Sequence, residues 1–449
     1  MVVRVLTLLF ITAVAGCTAV PQPTDTPSAS HAATAAPSPV SRASEGASPW
    51  SAPLETEWEL IEFGWDPPWS PMSFSGAAAS TERLVVVGDE ICDAPEFDFA
   101  LSCNAGIWTA PIDDPTALDA IPAQDDLSVG NAHPIIGQRP GTVDVVAGPH
   151  GFVAIGYRGM ATTPLEAVIW WSSDGLIWQV AEVGDALDGA RPVAVAEGGP
   201  GYVIVGSVHD PAAPRAAAWA SADGRSWERV RDTEAFEVGG YVNTGEIPIA
   251  GGMTSITHYP GGLLAFGSRC VGGGTLSEPG PLGGPDSCRF TSWTSDDGLA
   301  WRQSKLVLDA TVAVHSVAVT DGRLVAVGSS GLEGGQQPPV GVSFVSRDGT
   351  TWEAGSSEGL SRLDVAVAVP GGVMALGTDG GVLRAWTSAD GIEWDEVASL
   401  PPIENALVIR DIDAVLAGDN VVVVGWAEVR RNDPFVSFVL VGPATHPPR

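Results

Sequence analysis

Four cysteines, Cys92, Cys103, Cys270 and Cys288, fall into two short-range pairs. Cys92 and Cys270 closely follow apolar runs that end in Gly88 and Gly267, while Cys103 and Cys288 each stand five residues before a tryptophan, Trp108 and Trp293. Each pair therefore brackets the same kind of connection, and in an exported chain the expected chemistry is two local disulfides, Cys92 with Cys103 and Cys270 with Cys288. Each such bridge contributes about 2 to 4 kcal/mol. Zinc is the rival use of four cysteines, but no histidine stands near them at ligand spacing, so no metal is expected.

The other reactive side chains show less order. Seven histidines (His31, His133, His150, His209, His258, His315, His446) have neither metal-ligand nor triad spacing, which leaves them as surface or packed residues. Asp113-Asp114 and Asp125-Asp126 have the composition of solvated turns rather than of a calcium loop. Trp65 and Trp69 lie in G-W-D-P-P-W-S-P, a proline-rich stretch that presents two indoles outside any repeat. Indoles in that setting stack on sugars or on apolar side chains of a partner, which makes these two the candidate ligand-binding residues. No catalytic residue, cofactor site or metal site is assigned.

The charge excludes whole classes of partner. With 22 basic against 54 acidic residues the formal net charge is -32, and Lys305 is the only lysine. Nucleic acids and anionic membrane surfaces reward clustered Lys and Arg, so neither is an expected partner of the folded part. The diffuse acidity serves solubility, in keeping with a monomer.

The first 53 residues read as an address and a tether. Arg4, the apolar run Val5 to Ala15 and the small residues before Cys17 form an export signal too short to span a bilayer. Its end, Val14-Ala15-Gly16-Cys17, resembles the lipobox of bacterial lipoproteins, which implies cleavage before Cys17, acylation of that residue and a lipid-anchored protein on the extracytoplasmic face of the cell membrane. Residues 18–53 are mostly Ala, Ser, Thr and Pro, a composition that cannot bury enough surface to offset its ordering entropy.

What positions all these residues is a repeat. The pattern aromatic-x-Ser-x-Asp-Gly-x-x-Trp occurs five times. Its members are Ser172, Asp174, Gly175 and Trp178; Ser221, Asp223, Gly224 and Trp227; Ser295, Asp297, Gly298 and Trp301; Ser346, Asp348, Gly349 and Trp352; and Ser388, Asp390, Gly391 and Trp394. Seven apolar runs ending in Gly recur along the same chain, at Gly88, Gly156, Gly206, Gly267, Gly328, Gly377 and Gly425. Runs of this length, rich in Val and bounded by Gly and Pro, are buried strands. Alternating stretches such as Arg191–Glu197 and Leu363–Val369 precede them, and the Ser-x-Asp-Gly turns with their tryptophans follow. The unit is four antiparallel strands, here called a to d, with Trp opening strand d.

Seven units predict an all-β protein, a single seven-bladed β-propeller over residues 54–443 with a short tail at 444–449. The last unit has strand a near Ile412 to Leu416 and no strand d of its own. Glu57-Trp58-Glu59-Leu60-Ile61 resembles the strand d at Ser226–Val230 and is expected to complete the last blade.

The five-fold pattern resembles the Asp-box of sialidases and other BNR-repeat propellers, although here Gly follows Asp directly and the turn is one residue shorter. The resemblance implies a turn whose Ser and Asp bind its own backbone, remote from the active site of the enzymes. Sialidase chemistry, by the same resemblance, requires three convergent arginines, a Tyr/Glu pair and a general acid. No Phe-Arg-Ile-Pro-like motif is present, nothing in the spacing brings Arg139, Arg269, Arg289 and Arg384 together, and Tyr202, one of the four tyrosines with Tyr157, Tyr241 and Tyr259, falls inside a strand. The expectation is therefore a binding or scaffolding module that recognises a glycan, an envelope polymer or a protein. It would act through its long b–c and d–a connections, Gly64–Ser70, Pro122–Thr142, Arg231–Met253 and Ser268–Thr291. The alternative is a sialidase-like glycoside hydrolase using the same face.

Overall fold

A computed structural model describes residues 58–63, 70–92, 101–122, 124–132, 141–158, 166–208, 215–231, 234–237, 242–243, 248–249, 252–270, 274–275, 288–304, 312–330, 339–397, 400–429 and 435–444. The signal, the tether, Trp65 and Trp69 lie outside the described residues. Among them there is no α-helix, and none that could cross a membrane.

The glycine-terminated runs form strands buried on both faces, which is why they read as unbroken apolar sequence. In blade 7, Val421 and Val423 pack with Met374 and Leu376 of the blade before, while Val422 and Val424 pack with Phe74 and Leu84 of the blade after. Seven apolar clusters of this kind, each shared by two neighbours, run from blade to blade and close a circle. Seven four-stranded antiparallel sheets result, a seven-bladed β-propeller. Blades 1 to 6 occupy 70–120, 141–180, 190–229, 252–304, 312–354 and 365–396, and blade 7 occupies 406–443. The first strands of successive blades contact one another around the axis, and blade 7 touches blade 1.

Closure follows the expected route. Glu59–Phe63 pairs antiparallel with Phe435–Pro443, Leu60 opposite Leu440, and supplies the fourth strand of blade 7. An N-terminal strand on a C-terminal sheet ties the two ends of the ring together and covers an open edge.

Strand a carries a bulge in six blades, blade 6 excepted, and in blades 1, 3, 4, 5 and 6 the glycine that ends the apolar run leaves room for a backbone carbonyl of the opposing segment. A Cβ at Gly328 would collide with the carbonyl of Ala313, and one at Gly377 with the carbonyl of Arg362. The residue after the bulge reaches across to the next blade. Asp144 Oδ2 accepts the amide N–H of Val195 at 2.8 Å, Ser316 Oγ that of Ala366 at 3.2 Å, and Asp413 Oδ2 that of Ala77 at 2.9 Å.

Several expected details change. Strand d is only two residues long in five blades, Gln179–Val180 for example, and in the four of these that carry the turn it begins after the tryptophan; Trp301–Ser304 alone opens on it. Strand a of blade 7 runs over Ala406–Ala417, much longer than Ile412–Leu416, because two bulges let it bend and keep pairing. The connections expected as loops contain structure of their own. Ser128–Ala132 pairs onto the third strand of blade 1, and Val242–Asn243, Pro248–Ile249 and Gly274–Thr275 form a small separate sheet. Strands b and c of blade 4 extend to Cys270 and from Cys288, so that connection is shorter than Ser268–Thr291.

Candidate functional site

The five Ser-x-Asp-Gly turns share one face with the tight a–b turns. In the turn at 221–227, Ser221 Oγ accepts the Gly224 N–H at 2.9 Å, and Asp223 Oδ1 accepts the N–H groups of Arg225 and Ser226 at 2.9 and 3.1 Å. The Trp227 indole N–H donates to the Gly224 carbonyl at 2.9 Å. Gly224 has φ +78°, and a Cβ there would press on Val153 of the preceding blade. The turns at 172–178, 295–301 and 346–352 repeat these bonds. Two amide donors, Thr351 N–H first and Thr350 N–H second, hold the Asp348 carboxyl down at about 2. At 388–394 the indole of Trp394 donates instead to Ser343 Oγ at 2.9 Å, and that hydroxyl passes the bond on to the Gly391 carbonyl at 3.1 Å. The Ser hydroxyl, one Asp oxygen and the indole N–H of these turns are spent on the fold.

The opposite face, where the b–c and d–a connections lie, carries a cavity of about 770 Å³ between blades 5, 6 and 7. Two local features make it. Strands b and c of blade 6 are joined only by Gly380 and Gly381, so no loop fills the space between their neighbours, and Gly380 takes φ +61°. In blade 7 the double bulge at Arg410–Asp413, with Asp411 at φ +44°, turns Arg410 and Asp411 into the cavity while Ile409 N–H donates to the Gly380 carbonyl at 3.0 Å. Bulges of this kind re-aim side chains beside functional sites. Loop length does not mark this place, because the groove lies where the b–c connection is shortest.

Five charged residues line the groove, Arg362, Asp364, Asp379, Arg410 and Asp411. Asp364 is the most confined. Arg362 Nε donates to its Oδ1 at 2.5 Å, Thr378 Oγ1 donates to Oδ2 at 2.9 Å, and His315 Nδ1 stands 3.5 Å away. Burial pushes this carboxyl up, yet His315, Arg362 and Thr378 outweigh burial and hold it below the usual range. Arg410 Nε meets Glu428 Oε1 at 3.2 Å, and Asp411 Oδ2 accepts the Trp426 indole N–H at 2.9 Å. Arg384 binds Glu396 at 2.7 Å and reaches Asp379 at 4.0 Å.

His315 also stands 3.4 Å from Ser329 Oγ through Nε2, so Ser329, His315 and Asp364 form a Ser–His–Asp chain that the sequence spacing concealed. Its order is inverted for catalysis. Asp364 faces the groove, whereas Ser329 is only 6% exposed at the far end. The chain orients Asp364 and offers no accessible nucleophile.

A second acidic pair lies at the axis. Asp144 and Asp413 flank blade 1, and a Cβ at Gly76 would come into contact with Asp144. Both are half-buried. Desolvation, then the Asp413 charge, raises Asp144 to about 7, and desolvation raises Asp413 to about 6. Raised carboxyls suit general acids, but these two hold blades together through the amides of Val195 and Ala77.

The remaining candidates disperse. Of the four arginines, only the Arg384 side chain is among the described ones, and it is an ion-pair member beside the groove. Tyr157, Tyr202 and Tyr259 donate to the carbonyls of Pro192, Gly151 and Asp348, which are packing roles. Asp125 and Asp126 lie in a 3-10 turn, and the Asp126 carbonyl takes the Trp170 indole N–H at 2.8 Å. No group of three metal-ligating side chains occurs among the described residues. The four cysteine side chains lie outside them; the strand register sets Cys270 opposite Cys288, and Cys92 opposite Leu101.

No protein-family model matches the chain, and no curated protein does. Solved structures do. The polysaccharide lyase Uly1 superposes with a TM-score of 0.52 at 9% identity, over 83% of this chain and 90% of its own. A structure described as YCF48 bound to D1 peptide gives 0.47 at 15% identity, over 86% and 96%. Trypanosoma rangeli sialidase gives 0.45 at 12% identity, over 86% and 59%. At such identities the likeness is one of fold.

Proposed function

We propose that this chain is a binding module, a monomeric β-propeller lipoprotein that recognises a glycan, an envelope polymer or a protein on the extracytoplasmic side of the membrane. The observation that carries the reading is the groove between blades 5, 6 and 7, a cavity of about 770 Å³ whose charged side chains are held in place by partners behind them. Concave sites of about 300 to 1,000 Å³ with a few fixed polar groups are where small ligands and polymer segments bind. Hydrolysis is the weaker reading, since a glycosidase needs one carboxyl held protonated near neutral pH beside a second that is ionised. Asp364 is held ionised, and the raised carboxyls of Asp144 and Asp413 serve the ring.

In the same reading Cys17 bears the acyl anchor, residues 18–53 form the tether, and the cysteines close as Cys92–Cys103 and Cys270–Cys288 in an oxidising compartment. Trp65 and Trp69 extend the binding face. The decisive experiment is a glycan-array and envelope-polymer screen of the full chain in detergent beside Arg410→Ala, with a fluorogenic sialoside as turnover control. Binding that survives Arg410→Ala unchanged sinks the groove reading, and turnover lost on Asp364→Asn moves the protein to the hydrolases. Cys17→Ser should shift the protein from the membrane to the soluble fraction.

A further inference from the structure

The charged groups around the groove are already engaged by protein partners, Asp379 only at 4.0 Å by Arg384. Arg362 is engaged by Asp364, Arg410 by Glu428 at 3.2 Å, and Asp411 by the Trp426 indole at 2.9 Å. An anionic ligand would have to compete with those carboxylates for the guanidiniums and approach a chain of net charge -32. A cationic ligand would have to displace the Arg362 guanidinium at Asp364, and only at Asp411, held by a neutral indole, would it find a carboxylate without a cation. A hydroxyl needs neither exchange. It donates and accepts at once, a carboxylate has about four lone-pair sites and a guanidinium five N–H donors, so ion pairs joined through one edge keep acceptors and donors side by side. Two neighbouring hydroxyls of one sugar ring fit such a pair.

Two further observations point the same way. Ser361 lines the groove, and its hydroxyl is buried with no hydrogen-bond partner among the described residues, which a ligand hydroxyl would supply. The wall beside these groups is aliphatic: Val340 is 46% exposed, next to Leu360, Ile409 and Ile412. Leu360 and Ile409 are buried, so Val340 and the half-buried Ile412 form the aliphatic edge that suits the C–H face of a sugar ring.

We infer that the groove takes a neutral, polyhydroxylated saccharide, with vicinal hydroxyls on the paired carboxylate and guanidinium groups and one ring face on the aliphatic wall. This rests on the binding reading above and narrows it to one ligand chemistry.

The test is calorimetry on the full chain in detergent with four probes: a neutral hexose trisaccharide, a neutral pentose trisaccharide, a uronic acid trimer and a glucosamine trimer. At least one neutral trimer should bind, with an affinity nearly independent of salt, and about tenfold more tightly than either charged trimer. Thr378→Val and Arg410→Ala should each weaken that binding about tenfold with the circular dichroism spectrum unchanged. A charged trimer that binds more tightly, or affinity that falls steeply with salt, overturns the neutral-saccharide inference while leaving a groove that binds. Binding of no trimer overturns it as well. If Arg410→Ala also leaves every array ligand bound as before, the binding reading falls with it.

Discussion

Asp413 Oδ2 accepts the Ala77 amide at 2.9 Å, joining residues 336 positions apart across the seam where the last blade meets the first. Asp144 makes the equivalent bond to Val195, so two of the ring's inter-blade ties depend on carboxyl groups. Both carboxyls lie among groups that do not compensate them. Asp144 and Asp413 face each other's charge, the adjoining strand of blade 1 carries no charged residue, and on the neighbouring blades Glu197 and Asp364 are occupied by His258 and by Arg362 with His315.

This makes stability depend on pH in an unusual direction for aspartates. Their folded-state pKa values, about 7 and about 6, exceed the ordinary 3.8. The folded ring therefore binds protons more tightly than the unfolded chain, and the stabilisation is full below about pH 4 and lost as pH rises through 6 and 7. Asp144→Asn and Asp413→Asn keep an oxygen acceptor and remove the ionisation. Each variant should melt a few degrees above the wild type at pH 8 and no higher at pH 4. Thermal scans from pH 4 to 9 decide it, and equal slopes for variant and parent would refute the role.

Such a tie shows where sequence reading reaches its limit. The valine runs and the five turns were legible because each is a local pattern, repeated, with a packing cause that acts within a few residues, and the closing strand because its residues resemble the strand d of a repeat. Asp144 and Asp413 were not, since their partners lie in other blades and their neighbours are plain alanine and valine. The groove was hidden for a related reason. It depends on the short Gly380–Gly381 connection and on a bulge at Arg410–Asp413, and neither leaves a periodic trace. His315 showed no triad spacing because Ser329 and Asp364 meet it from two other strand ends.

The turn tryptophans offer a graded comparison. Trp227 is 4% exposed, and truncating a buried aromatic costs about 3 to 5 kcal/mol, so Trp227→Ala should lower the denaturation midpoint clearly. Ser343→Ala tests the exception. It strands the Trp394 indole N–H and loses the bond to the Gly391 carbonyl, with an expected cost of about 1 to 3 kcal/mol. The equivalent hydroxyl is absent from the turn at 221–227, where the indole reaches Gly224 directly. Denaturant titration of both variants checks the order, and a Ser343→Ala chain as stable as the wild type would show that the relay is dispensable.

The glycines that end the apolar runs of strand b make a steric prediction. At Gly377 a methyl group would enter the space of the Arg362 carbonyl, and Arg362 is the residue that clamps Asp364 at the groove. Gly377→Ala must therefore push the start of blade 6 outward. It should lower thermal stability and weaken ligand binding together, whereas Gly322→Ala, at a site with nothing within 4 Å but φ +71° and outside the groove lining, should cost about 1 kcal/mol and leave the Asp364 clamp alone. Melting curves and calorimetry on the two variants separate a shape effect on the groove from a general loss of stability.

Ring closure gives the sharpest test of the architecture. Glu59–Phe63 pairs with Phe435–Pro443 along five residues, and Trp58, Leu60, Ile61 and Phe63 pack on the clusters at either side of blade 7. Deleting 58–63 bares the outer edge of that blade and removes these contacts, while leaving the axial tie from Asp413 to Ala77 in place. The deletion should cause a large drop in melting temperature and an earlier loss of amide protection in 435–443 than in blades 2 to 5, read by hydrogen exchange. If protection falls evenly around the ring, the strand is only one contact among many. If it falls first at blade 7, the N-terminal strand is the latch of the ring.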